Sequence, residues 1–200
     1  MFKFKLIPLA FPRIPVNSYP MNLYLVGFMA SGKSTLGRFL SEYSGRSFRD
    51  LDRIIESEAN LSIREIFEAE GEAGFRRRET SALEQIVKLD GFMVATGGGV
   101  IETPANRDLL QNGYTVFLDW SWESLAPWLK KVSRHSRPLL EQEDENVQLL
   151  FERRRPLYNQ VAQRVEDIRE VDHDGLGEML NNLCEGIHEA LLEAERKALE

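Results

Sequence analysis

The sequence predicts an α/β domain in which a central parallel sheet of five strands is covered by helices on both faces. Three observations predict this class: strands alternate with helical patterns, most of the strands are short apolar runs, and a glycine-rich loop joins the first strand to a helix. The chain has 200 residues, which suits one domain with a sizeable core. We expect this domain to span residues 21–200, after a poorly ordered extension over residues 1–20.

The predicted strands are short runs that end in glycine, acidic or other polar residues. They comprise residues 22–27, 47–50, 92–96, 115–119 and 164–168. Helical patterns cover residues 33–43, 51–58, 63–70, 72–89, a segment from Pro104, a segment towards Lys131, and residues 147–162 and 176–191. Ser62 and Glu65 have the spacing of a capping box, and Gly71 is expected to break the helix that they begin.

The chain is acidic, with 25 Lys and Arg against 32 Asp and Glu and a formal charge of −7. This charge argues against general electrostatic binding to nucleic acid or to an anionic membrane surface. No apolar run is long enough to predict a membrane span. The single cysteine, Cys184, cannot form an internal disulfide, which fits a reducing cytoplasmic compartment. Because no spare apolar stripe is evident, we expect a monomer.

A phosphate-binding loop follows the first predicted strand. Residues 27–34 match the pattern G-x4-G-K-[ST], between an apolar strand and an amphipathic helix. The glycines allow backbone N–H groups to converge on a phosphate, and the helix N-terminus adds its dipole there. Lys33 is suited to bridge the β- and γ-phosphates, and the Ser34 hydroxyl to ligate Mg²⁺. The predicted nucleotide-binding residues here are Gly27, Ala30, Ser31, Gly32, Lys33, Ser34 and Thr35.

Two carboxylates stand where the second strand is expected to end. On an extended chain, Asp50 and Asp52 would point in the same direction, at the edge of the sheet where ligands bind. One of them would hold Mg²⁺ through water, and the other would face an acceptor hydroxyl. A solvated turn or a helix cap is the alternative interpretation.

Arginines and a glycine triplet supply candidate groups for an anionic acceptor. Arg76 and Glu79 share a helical face, and an arginine fork binds a carboxylate in a bidentate manner. The triplet 97–99 follows a strand and allows close approach of a ligand to the backbone. Arg137, in the irregular segment 133–146, and Arg154 belong to clusters that, taken alone, would be solvated charge.

Together these motifs resemble the shikimate kinase family over about residues 22–165. The segments that carry the resemblance, in the family's order, are residues 27–35, 50–52, 75–79, 97–99, 137–140 and 154–158. The resemblance implies a P-loop kinase fold with a substrate-binding segment over about residues 50–80 and a mobile lid over about residues 130–146. It also implies transfer of the γ-phosphoryl group of ATP, with Mg²⁺, to the 3-hydroxyl of shikimate.

The resemblance also implies roles for individual residues. Asp52 contacts the acceptor hydroxyl and is the proposed base, and Lys33 and Arg137 act on the phosphates. Asp50 supports the metal beside Ser34, and Lys130 lies over the adenine. The residues implied to hold or surround shikimate are Asp52, Phe67, Phe75, Arg76, Gly97, Gly98, Gly99 and Arg154.

Two other functions are compatible with a P-loop in this context. Another small-molecule kinase, such as a gluconate kinase, would share the loop and the fold but would not need two arginines aimed at a carboxylate. A non-catalytic nucleotide-binding or scaffolding protein would be expected to have lost at least one of Lys33, Ser34, Asp52 and Arg137, and all four are present.

Overall fold

The computed structural model describes residues 20–131, 144–168 and 176–199. Five parallel strands form one sheet in the order β2-β3-β1-β4-β5, which confirms the predicted fold class. Their bounds differ from the predicted ones by no more than one residue at either end. The strands are β1 (Leu23–Val26), β2 (Ser47–Asp50), β3 (Phe92–Ala95), β4 (Tyr114–Trp120) and β5 (Arg164–Ile168).

The helices lie between the strands in the order that a parallel sheet requires. The described helices are α1 (Lys33–Ser44), α2 (Leu51–Ala59), α3 (Ile63–Val87), α4 (Pro104–Leu110), α5 (Trp122–Lys131), α6 (Asp144–Val161) and α7 (Leu176–Leu199). A single 3-10 turn, Val100–Glu102, stands between β3 and α4. No helix in the described ranges is long and apolar enough to cross a membrane.

The central strand β1 divides the hydrophobic core into two layers. Leu23 and Leu25 pack on one face against α1, α5, α7 and the first half of α6. Tyr24 and Val26 pack on the other face against α2, α3, α4 and the second half of α6. All four residues are fully buried, as expected of a central parallel strand with helices on both sides.

Helix α3 begins and bends where its local sequence predicts. The Ser62 hydroxyl accepts a hydrogen bond from the Glu65 backbone N–H, and the Glu65 carboxylate accepts one from the Ser62 N–H, so the capping box is present. Gly71 has φ 67° and ψ −178°, which interrupts the helix as a kink within one element. The predicted break at Gly71 is therefore confirmed, although the two parts remain continuous.

Helix α6 begins at Asp144, three residues before the predicted start at Val147. The end of the predicted loop 133–146 is thus wrong, because residues 144–146 are helical. Acidic residue types at 144 and 145 favour a helix N-terminus through the macrodipole, a signal that apolar periodicity alone does not detect. Most of the predicted lid, including Arg137, lies outside the described residues, as does nearly all of the predicted N-terminal extension.

Candidate active site

The loop between β1 and α1 reverses direction through residues with positive φ. Gly27 has φ 147°, and Gly32, the N-cap of α1, has φ 88°. A Cβ atom at Gly27 would lie 3.0 Å from both the Leu118 carbonyl oxygen and the Ser31 hydroxyl. Ala30 adopts φ 63°, a left-handed conformation that non-glycine residues seldom occupy. The loop therefore wraps tightly around the N-terminus of α1.

The Lys33 ammonium group lies over the same loop. Its Nζ donates hydrogen bonds of 2.8 Å to the carbonyl oxygens of both Gly27 and Phe28, and it lies 3.4 Å from Ser31 Oγ. The Trp120 indole N–H donates a 3.0 Å hydrogen bond to the Ser31 carbonyl, which ties the loop to the end of β4. A buried positive charge is thus held at the centre of a loop that matches the phosphate-binding pattern.

Ser34 and Asp50 form an oxygen pair next to this loop. Ser34 Oγ, in the first turn of α1, donates a 2.7 Å hydrogen bond to Asp50 Oδ2 at the end of β2. Hydroxyl and carboxylate oxygens are the hard ligands that Mg²⁺ prefers, and Mg²⁺ commonly takes one or two of them from protein while keeping several waters. Among the described residues, no group of three or more His, Cys, Asp or Glu side chains is placed to hold a metal. The donor set at this point fits a Mg²⁺ ion held mainly by substrate phosphates and water.

Asp50 and Asp52 do not leave an extended chain in the same direction, so that prediction is wrong, although both residues line one cavity. The chain is extended only as far as Asp50, which caps α2 and accepts from the Arg53 backbone N–H. Asp52 already lies in the first turn of α2, so its side chain leaves in a different direction. It points towards Gly97, where an added Cβ would lie 2.9 Å from Asp52 Oδ1.

The cavity has a volume of about 390 Å³ and opens at the carboxyl ends of the strands. Ten of the predicted site residues line it together with six that were not predicted. The predicted residues are Ser34, Asp50, Asp52, Phe67, Phe75, Arg76, Gly97, Gly98, Gly99 and Arg154, and the others are Met29, Arg38, Arg53, Glu56, Ile63 and Glu79.

Arg76 enters this cavity from α3 with three carboxylate partners. Its Nη1 donates a 2.8 Å hydrogen bond to Glu79 Oε2, and its Nη2 donates to Glu72 at 3.1 Å and to Glu102 at 3.3 Å. The ring of Phe75 lies beneath its guanidinium group, 5.4 Å from the carbon atom Cζ. Arg76 therefore faces the cavity instead of solvent, as a residue that binds a carboxylate in the cavity must do.

Arg154 reaches the same region from α6 and is only 1% exposed. Its Nη2 donates a 3.0 Å hydrogen bond to Glu102 Oε2, the oxygen that also accepts from Arg76. Its guanidinium group lies 5.8 Å from the ring centre of Phe28, a residue of the phosphate-binding loop. The two arginines that are predicted to bind a carboxylate thus donate to the same oxygen of Glu102, beside the predicted nucleotide site.

Glu79 is a fully buried carboxyl group with an unusual pKa. Burial raises this pKa to about 7, although the charge and the hydrogen bond of Arg76 lower it, and nearby Asp52 adds to the rise. Its Oε1 atom has no hydrogen-bond partner among the described residues. For Glu102, burial also opposes ionisation, but the hydrogen bond and charge of Arg154, with help from Arg153 and Arg76, outweigh it and lower the pKa.

The glycine triplet is packed so closely that side chains would not fit without displacement. A Cβ at Gly98 would lie 3.1 Å from the Met29 backbone nitrogen, and one at Gly99 would overlap the guanidinium group of Arg76. The Tyr158 hydroxyl, buried and stacked on Phe117, donates to the Gly98 carbonyl oxygen. The triplet therefore lets the phosphate-binding loop, α3 and α6 approach each other at the end of β3.

The other predicted residues lie elsewhere or are not described. The remaining residues of the predicted phosphate-binding loop and the first turn of α1 do not line the cavity: Gly27, Ala30, Ser31, Gly32, Lys33 and Thr35. Lys130 is exposed near the end of α5 and does not line it, and Arg137 lies outside the described residues. The most important residue that the sequence did not predict is Glu102, which accepts hydrogen bonds from three arginines. Those partners are 26, 51 and 52 residues away in sequence, so no local pattern relates them. Only its position after the glycine triplet at the binding edge offered a signal.

Comparisons with known proteins point to one family. A sequence model of the family described as shikimate kinase matches residues 29–185. The shikimate kinase of Thiobacillus denitrificans is 42% identical over 144 residues, which are 70% of this chain and 78% of that protein. The shikimate kinase of Halorhodospira halophila is 45% identical over 148 residues, which are 72% of this chain and 81% of that protein.

Solved structures agree with the sequence comparisons. A shikimate kinase from Acinetobacter baumannii in complex with shikimate superimposes with a TM-score of 0.76 at 35% identity, covering 88% of this chain and 98% of that chain. A shikimate kinase from Bacteroides thetaiotaomicron superimposes with a TM-score of 0.73 at 29% identity, covering 84% and 98% of the two chains.

Proposed function

The chain belongs to the shikimate kinase family, and we propose that it transfers the γ-phosphoryl group of ATP to the 3-hydroxyl of shikimate, giving ADP and shikimate 3-phosphate. One observation carries this conclusion: Ser34 and Asp50 on the nucleotide side line the same cavity as Asp52, Arg76 and Arg154 on the acceptor side. A site that joins a phosphate-binding loop to paired arginines suits a small acceptor that carries both a hydroxyl and a carboxylate.

On the nucleotide side, we assign phosphate binding to the loop and to Lys33. The N–H groups of residues 27–35 and the N-terminus of α1 would hold the β-phosphate, and Lys33 would shift from the loop carbonyls towards the transferring group. Ser34 and Asp50 would hold Mg²⁺, which neutralises phosphate charge when bound. Arg137 would reach the phosphates from the predicted lid, and Lys130 would lie over the adenine.

On the acceptor side, Arg76 and Arg154 would bind the carboxylate, with Phe67 and Phe75 packing against the ring. The two phenylalanine rings are 4.8 Å apart and line the cavity. The backbone of Gly97, Gly98 and Gly99 would complete this side. Charged hydrogen bonds to a carboxylate are strong and directional, so they would fix the acceptor relative to the nucleotide.

Asp52 would orient the reacting hydroxyl and accept its proton. Its carboxylate lies close to the first residue of the glycine triplet, and it is in the same cavity as the candidate Mg²⁺ ligands. Phosphoryl transfer requires little covalent chemistry from the protein, so alignment of the hydroxyl with the γ-phosphorus dominates the rate. Closure of the predicted lid, residues 130–146, would exclude water and limit ATP hydrolysis.

The proposed biological setting follows from the same assignment. We place the enzyme in the cytoplasm, acting on small molecules and without nucleic-acid or membrane partners, in the biosynthesis of chorismate and the aromatic amino acids. The single cysteine and the excess of acidic residues support this setting. In support of a monomer, the exposed large apolar side chains of the described residues stand on four different segments, after α3, on α6, on β5 and on α7: Leu89, Leu149, Val165 and Leu192.

Product analysis with competing acceptors tests the proposal. The protein, ATP and Mg²⁺ are incubated in turn with shikimate, with gluconate and without acceptor, and the products are identified by phosphorus NMR. We expect a phosphate monoester on the 3-oxygen of shikimate and little product from gluconate. More product from gluconate would favour another small-molecule kinase, and nucleotide binding without turnover would favour a non-catalytic protein.

A further inference from the structure

The carboxylate of Glu102 accepts a hydrogen bond from the buried guanidinium group of Arg154. Arg154 is 1% exposed, and Glu102 is its only hydrogen-bond acceptor among the described residues, at 3.0 Å. A buried guanidinium without an acceptor is strongly unfavourable, so the position of Arg154 depends on this carboxylate. The Glu102 side chain is itself only 20% exposed.

The same carboxylate holds arginines from two helices together. Oε2 accepts from Arg154 on α6 and also from Arg76 on α3, while Oε1 accepts a 2.5 Å hydrogen bond from Arg153. Two guanidinium groups this close would repel each other without a shared anion between them. Glu102 therefore sets the separation of the two groups that the proposed function assigns to the substrate carboxylate.

The turn that carries Glu102 is fixed by hydrogen bonds of its own. The Glu102 backbone N–H donates to the Gly99 carbonyl at 3.0 Å, and Arg107 Nη1 donates to the Ile101 carbonyl at 2.7 Å. This turn directly follows the glycine triplet at the end of β3. The carboxylate thus stands on a hydrogen-bonded support beside the two arginines that line the cavity, as a positioning group should.

We propose that Glu102 is a positioning residue that orients Arg76 and Arg154 as a pair and thereby sets the affinity and specificity for the carboxylate of the acceptor. This inference rests on the proposed carboxylate-binding role of the two arginines. Glu102 need not touch the acceptor, because its effect passes through the arginine side chains.

Glu102→Gln is the direct test, because the amide keeps the shape but loses the charge and one acceptor oxygen. Shikimate and an analogue with a hydroxymethyl group in place of the carboxylate are titrated by calorimetry without nucleotide. We expect the dissociation constant for shikimate to rise about 10- to 100-fold, as for loss of charged hydrogen bonds, and that for the analogue to rise less than about threefold. The KM for ATP should also change less than about threefold.

Glu72→Gln is the matched control. Glu72 also accepts from Arg76, but its side chain is 54% exposed and it contacts no second arginine among the described residues. Its replacement should raise the dissociation constant for shikimate less than about threefold, because exposed ion pairs contribute little.

Three results would overturn the inference. Equal weakening of shikimate and of the analogue would show a general structural role for Glu102. An unchanged dissociation constant would show that the arginines do not depend on it, and tighter binding would show that Glu102 competes with the substrate carboxylate. If the wild-type protein binds shikimate and the analogue equally, the carboxylate role of the arginines is itself wrong, which is a separate failure.

Discussion

The Ser34 hydroxyl donates a 2.7 Å hydrogen bond to Asp50 Oδ2, which joins the first turn of α1 to the end of β2. In the sheet, β2 is separated from β1 by β3, so this contact links segments that the strand order does not make adjacent. It places the two candidate Mg²⁺ ligands side by side in the cavity that Asp52 also lines. A pair of oxygens at this junction can hold a cation where phosphate and acceptor meet.

Replacement of Asp50 by Asn should weaken Mg²⁺ dependence without disturbing the fold. The amide oxygen can still accept from Ser34 and cap α2, but the negative charge is lost. We expect the Mg²⁺ concentration for half-maximal rate to rise about 10- to 100-fold, measured as initial rate against free Mg²⁺. Asp90→Asn, at an exposed position away from the cavity, is the control. An unchanged Mg²⁺ dependence would exclude Asp50 from the metal site.

Asp52→Asn should lower kcat while shikimate still binds. The amide cannot accept the hydroxyl proton, and loss of such a group reduces rates by about 10²- to 10⁴-fold. The KM for shikimate should stay within about threefold, because the arginines supply most of the binding. Steady-state kinetics with both substrates varied measures the two effects separately. An unchanged kcat would show that Asp52 is not at the reacting hydroxyl.

Arg76→Ala should mainly raise the KM for shikimate. Each charged hydrogen bond contributes about 1.5–3 kcal/mol, so the KM should rise roughly 10- to 150-fold. Arg77→Ala, at the exposed neighbouring position of α3, is the matched control and should leave this KM nearly unchanged. A rise only in the KM for ATP would place Arg76 on the nucleotide side instead.

The free energy of unfolding should depend on pH through Glu79. Burial raises the pKa of this carboxyl group from the ordinary value of 4.5 to about 7. Below pH 4.5 the carboxyl group is protonated in the folded and the unfolded chain alike. As the pH rises to 7, the unfolded chain loses this proton while the folded chain largely keeps it, so folding becomes less favourable. The stabilising contribution of the neutral carboxyl group is therefore lost as the pH rises through the folded-state pKa.

Denaturant titrations of the wild type and of Glu79→Gln test this dependence. The amide does not titrate, so the variant should gain stability relative to the wild type by up to about 3 kcal/mol between pH 4.5 and about pH 8. A difference in the free energy of unfolding that does not change with pH would show that the Glu79 pKa is ordinary.

The elements that were predictable depend on local rules. Three features are each determined by residues only a few positions apart in sequence. They are the apolar run of β1, the capping box at Ser62 and the kink at Gly71. The loop at residues 27–34 has a pattern specific enough to be recognised without any tertiary information. For these features, sequence and structure agree closely.

The features that were missed depend on contacts between distant elements. The direction of Asp52 is the exception, because it is a local feature. A helix was predicted from residue 51, and the extended-chain interpretation of Asp50 and Asp52 was inconsistent with that prediction. The role of Glu102 arises because α3 and α6 meet over the turn that follows β3, and periodicity carries no information about such meetings. Glu79 acquires its raised pKa only through complete burial beside Asp52.

The dependence of ADP formation on the acceptor tests directly whether the nucleotide and the acceptor meet in this cavity. Initial rates are measured with ATP and Mg²⁺, with and without shikimate. We expect shikimate to raise the rate by at least about 10²-fold, since Asp52, Arg76 and Arg154 would align its hydroxyl with the nucleotide. ADP formation at the same rate with and without shikimate would contradict the claim that the nucleotide and acceptor sites meet in this cavity.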